Sequence, residues 1–86
     1  MPIRRNIPEA IAVRERFIRS YDELLYRKLV KTKTEFCKEV GLHSVSNLIR
    51  MANEQREPSV TNILLLHQKF GVSMDWIMFG DGEFLK

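Results

Sequence analysis

The chain has little of what cross-links, spans or interrupts a fold. A single cysteine, Cys37, excludes an internal disulfide. No apolar run approaches the roughly 18 residues that a membrane-crossing helix requires; the longest, Ile63 to Leu66 among them, cover four. A leader pattern is also missing, so a soluble, cytoplasmic protein is expected. Glycine and proline are scarce, at four and three among 86 residues. Period-2 alternation, internal repeats and low-complexity tracts are absent, which argues against strands and solenoids. Gly80 and Gly82 follow no strand and precede no Lys-Ser/Thr pair, so they do not form a phosphate loop.

Charge is nearly balanced, with a net of +3 from 14 Lys/Arg and 11 Asp/Glu. The excess is concentrated at one end: residues 1–33 hold nine basic and four acidic side chains, whereas 34–59 hold three and four. Such a bias favours a polyanionic partner only weakly. The length suits one small core and leaves no room for a second, ligand-sensing domain.

Helical spacing dominates what is present. Residues 1–7 read as a short arm carrying Arg4 and Arg5, and Pro8 suits the first position of a helix. No glycine or proline follows until past Val30, and Val13, Phe17, Tyr21, Leu24, Leu25 and Leu29 recur at helical spacing, which predicts a long first helix to about Val30. Its polar face is assigned Arg14, Arg16, Arg19, Arg27 and Lys28, with Glu15–Arg19 and Glu23–Arg27 at i,i+4 spacing. Thr32 and Glu35 form a T-x-x-E capping box for a short second helix that turns Phe36, Cys37 and Val40 inward and stops at Gly41. Ser44 is the cap of a third helix with Leu48 and Met51 on its buried side. A polar loop to Glu57 precedes Pro58. Ser59 caps a fourth helix with a stripe of Val60, Ile63, Leu64, Leu66 and Phe70, and Ser73 caps a fifth with Met74, Trp76 and Ile77.

Two short helices across a glycine turn, with the second free to face outward, form a helix-turn-helix. The order T-x-x-E-F-C-x-x-V-G-L, S-x-x-x-L-x-x-M, P-S-V-x-x-I-L, F-G-V-S-x-D-W-I and G-D-G resembles the lambda-repressor-like family of small phage and bacterial regulators over residues 32 to 82. The turn from Gly41 to Ser44 is one residue longer than in that family, with His43 as the extra residue, and Glu54 stands where family members often have glycine. The resemblance implies an all-α, compact five-helix domain over residues 8–86 with an extended first helix. It further implies a sequence-specific, non-enzymatic transcriptional regulator, a repressor, that binds double-stranded DNA as a homodimer through its last helix. Apolar Leu65, Met78, Phe79 and Phe84 fit that interface or, alternatively, burial against the first helix.

By position, the resemblance assigns base reading in the major groove to Val45, Ser46, Asn47 and Arg50, and phosphate contacts to Lys33, Asn53, Gln55 and Arg56. Competing readings exist for each. Arg50 and Arg56 also suit a solvated surface, Ser44, Ser46 and Asn47 are good helix-start residues for local reasons, and Val45 and Ile49 on an outward face suit a protein interface as well as thymine methyl groups. The alternative is therefore a protein-interaction module of the same fold, resembling an antitoxin or anti-repressor. Catalysis finds no support: His43 and His67 lack a carboxylate at triad or metal-ligand spacing, and Cys37 reads as a small core side chain. No cofactor, metal or small-molecule ligand is expected.

Overall fold

The computed structural model describes residues 8–85, so the expected arm at 1–7 lies outside the described residues. Five helices follow one another: α1 Pro8–Tyr26, α2 Lys33–Glu39, α3 Val45–Ala52, α4 Val60–Phe70 and α5 Met74–Phe79. The all-α expectation holds, and the one β feature among the described residues is an isolated antiparallel bridge, Val72 with Leu85. None of the described helices is long and apolar enough to cross a membrane.

Cap chemistry sets most boundaries. Thr32 Oγ1 accepts from the Glu35 amide at 3.1 Å, but the Glu35 carboxylate receives the Lys31 amide at 2.8 Å instead of closing the expected box on Thr32. Ser59 and Asn62 form a full reciprocal box at 2.9 and 3.0 Å, and Ser73 Oγ accepts from the Trp76 amide. Ser44 does occupy the N-cap position of α3, yet its hydroxyl makes no cap bond; it lies 2.7 Å from Ser46 Oγ.

The first helix ends earlier than the periodicity predicts. Lys28 takes a left-handed φ of 64°, its amide donates to Leu25 O, and the Leu29 amide donates to Leu24 O, the bond pair that closes a helix with a left-handed residue. That turn leaves Leu29 47% exposed and swings Val30 into the core. A stop made by lysine carries no glycine or proline signal.

The core is one cluster of Phe17, Leu24, Val30, Phe36, Val40, Leu48, Met51, Leu66, Val72 and Ile77, with Phe84 closing it from the C-terminal tail. Phe36 is its hub: Phe17 and Tyr21 meet it edge-on and Phe70 stacks on it, with centroids 5.5 to 6.4 Å apart. The stripe on α4 is narrower than expected, because Val60 is 74% and Leu64 41% exposed; Ile63, Leu66 and half-buried Phe70 suffice to fill the space.

The polar face assigned to α1 is also corrected. Arg14 is buried and its Nη1 donates to Glu57 Oε2 at 2.7 Å. Arg16 reaches the free carbonyls at the end of α5, Ile77 O at 2.7 Å and Met78 O at 3.0 Å, where a cation satisfies groups that the helix itself leaves unpaired. Arg19 lies over the Trp76 ring and Arg27 over Phe84; Arg27 also pairs with Glu23 at 3.4 Å as its spacing predicts. Arg16, Arg19 and Arg27 thus clamp the first helix and its end to α5 and the tail, while Arg14 ties α1 to the loop after α3.

Candidate nucleic-acid interface

Helix α3 is held by one side and bare on the other. Leu48 and Met51 enter the core at 5% and 0% exposure, against α1 and α2. With 3.6 residues per turn, Ser46, Ile49, Arg50 and Asn53 then share the opposite side, and all four are exposed. Ile49 is 49% exposed. Arg50 makes no ion pair among the described residues, so its guanidinium is free to meet an external acceptor.

Two of the expected reading residues are less open. Asn47 is half-buried. Val45 packs against the core and so does not share the outward face with Ile49. As the first residue of α3 it lies over the preceding turn, where it lines a hollow of about 610 Å³ with Cys37, Leu42, His43 and Ser44. In that turn Gly41 has φ 81° and Leu42 is buried while His43 points to solvent.

The residues expected at phosphate surround α3. Lys33, the first residue of α2, is exposed and lines a hollow of about 180 Å³ with Tyr21, Asp22, Ile49 and Ala52. Asn53 is the C-cap of α3, followed by Glu54 at φ 63°, a left-handed conformation that suits glycine. The Glu54 amide donates to Met51 O and the Gln55 amide to Arg50 O, the same closure that ends α1. Gln55 is exposed and Arg56 half-buried.

Sequence reading missed what holds this face in place. The buried Arg14–Glu57 ion pair ties the loop after α3 to α1 across 43 residues, a separation that leaves no local signal. Asn62, 2% exposed, donates from Nδ2 to Val40 O at 2.8 Å and so fastens α4 to the end of α2; its place three residues after Ser59 was the available clue.

The other reactive groups are structural. The Cys37 thiol is pushed above its ordinary value by burial, against the opposing pull of the Lys33 charge. His67 Nδ1 lies 2.8 Å from Val72 O, on α4, while His43 stands in the α2–α3 turn. No cluster of three or more metal-ligating side chains occurs among the described residues.

A protein-family model described as Helix-turn-helix matches residues 25–77. Neither a curated protein nor a solved structure matches the chain.

Proposed function

The chain belongs to the lambda-repressor-like helix-turn-helix family, a family of DNA-binding regulators, and from that premise we propose that it is a sequence-specific repressor whose α3 enters the major groove. The observation that carries the reading is Arg50, exposed and without an ion-pair partner among the described residues, on a helix whose other side is locked into the core. Arg50 pairs with guanine, Ser46 and the accessible edge of Asn47 contact neighbouring base edges, and exposed Ile49, in place of core-packed Val45, makes the apolar contact with thymine methyl groups. Lys33, Asn53, Gln55 and Arg56 hold phosphates on either side.

The protein acts as a cytoplasmic homodimer on a two-fold site, since one small module makes few contacts and pairing multiplies them. Exposed Phe79 (71%) and Met78 (37%) on α5 support that interface. Phe84 does not belong to it, because it is buried edge-on against Trp76 at 4.8 Å, and Leu65 is only half-exposed.

Selection from a random duplex pool, with the oligomeric state measured alongside, tests the proposal. A palindromic site should emerge, and Arg50→Ala should weaken binding to it by about 1–3 kcal/mol and relax preference at one base. A second reading, a protein-interaction module, draws on exposed Ile49 beside the apolar hollow between α1 and α3. It takes precedence if no site is enriched and Ile49→Asp abolishes capture of a protein partner.

A further inference from the structure

The basic side chains of the α1–α2 turn have no role in the reading above beyond Lys33. Residues 27–38 carry five Lys/Arg and a single acid, Glu35, so this short stretch holds more positive charge than the net of the entire chain. Four of the five, Lys28, Lys31, Lys33 and Lys38, are exposed, and none makes an ion pair among the described residues. The fifth, Arg27, is engaged by Glu23 and Phe84.

The backbone that bears them is fixed at closely spaced points. The Lys28 and Leu29 amides close α1, Val30 is buried, and the Lys31 amide is bound by Glu35 Oε1 at 2.8 Å. That last bond also directs the one local carboxylate at the backbone. The other acid on this edge, Asp22, shares a hollow with Lys33 and with Ile49 and Ala52 of α3. Lys33, at the end of this turn, therefore adjoins the proposed reading helix.

We propose that Lys28 and Lys31 extend the DNA contact beyond the helix-turn-helix, as a sequence-independent phosphate clamp that runs on from Lys33. At no more than about 3.6 Å per residue, the turn from Lys28 to Lys33 spans at most about 18 Å. One DNA strand presents a phosphate about every 3.4 Å of axis, so a single backbone run lies within reach of all three ammonium groups. Because phosphates carry no base information, the clamp adds affinity and salt sensitivity without adding preference.

The inference rests on the DNA-binding reading, and one experiment separates their failures. Binding of the full chain to its selected duplex and to a scrambled duplex is measured across a salt series for the parent, for the Lys28→Gln/Lys31→Gln double variant and for a Lys69→Gln control, whose lysine instead pairs with Glu39 at 3.3 Å. The double variant should flatten the plot of log K against log salt by about 1.8 per bound protomer, the value for two lost phosphate contacts. Its ratio of selected to scrambled affinity should match the parent, and the control should overlay the parent. A parent-like slope in the double variant overturns the clamp while leaving the reading intact. A parent that shows no salt-sensitive duplex binding overturns the reading, and the clamp with it.

Discussion

Replacing Asn62 by alanine removes the polar link between α4 and the end of α2, and the structure allows the loss to be sized. Asn62 Nδ2 supplies the hydrogen bond to Val40 O, a carbonyl at the C-cap of α2 that the helix cannot satisfy, and Val40 itself is fully buried. A buried acceptor left without a partner costs about 1–3 kcal/mol. The reciprocal cap is lost as well, but Ser59 is exposed and water replaces part of that bond, so the cap adds less than the ~1 kcal/mol of a typical case. The expected total is about 2–3 kcal/mol, or a drop in melting temperature of roughly 10–20 °C for a domain of this size. Thermal and urea unfolding followed by circular dichroism measure it. Asn62→Asp provides the discriminating variant: it keeps an acceptor for the Ser59 amide but sets a carboxylate against Val40 O at pH 7, so it should lose at least as much as the alanine. A parent-like melting curve for Asn62→Asp would refute the reasoning, because donation to Val40 would then be immaterial.

Other outcomes are expected at Glu54, at the Arg14–Glu57 pair and at Cys37. Glu54→Gly should raise stability by about 0.5–1 kcal/mol, since glycine removes the ~1–2 kcal/mol strain of a left-handed non-glycine residue and returns part of it as chain entropy; urea midpoints at constant m value would show it. Glu57→Ala should destabilise by about 2–3 kcal/mol, below the range for a fully buried pair because the Glu57 side chain is 32% exposed. Adding Arg14→Met to that variant should recover part of the loss, a non-additivity that a double-mutant cycle reads directly. Cys37 should resist alkylation in the native protein and react after unfolding, as its burial predicts. Its folded pKa lies above the ordinary 9.0, so the folded state holds the proton longer than the unfolded chain does. Its contribution is constant below that value, and stability should fall as pH rises from there through the folded pKa.

What could be read from the residues was what is chemically local. Thr32, Ser59 and Ser73 announce helix starts because a hydroxyl finds an amide three residues away, and Gly41, Gly71 and Gly80 mark stops because the left-handed backbone favours them. The stop at Lys28 and the turn at Glu54 were hidden for the converse reason, as ordinary exposed residues take that conformation there and the backbone bonds that close each turn leave no mark on residue type. The burial of Arg14 and the tertiary bonds of Arg16 could not be seen because their partners lie 43 and 61 residues away. On the candidate interface, Leu48 and Met51 fixed which side of α3 turns outward, so Ser46 and Arg50, which the resemblance singles out, are exposed opposite them, and Asn53, expected in the loop, is instead the C-cap on that same side. Val45 does not share that side, because the first residue of a helix is oriented by the turn beneath it and not by the period of the helix it begins.

The closing segment has a consequence in time. Ser73 donates its amide to Phe84 O, Val72 bridges Leu85, and Arg27 rests on the Phe84 ring, so the end of the first helix is finally gripped by residues made only after α5. During translation, α2 and α3 emerge before the tail that locks α1 over their aromatic hub. A nascent chain halted before Phe84 would display α3 on an unfinished core. A fragment cut to residues 25–77 would remain in that unfinished condition, lacking both Phe17 and Phe84.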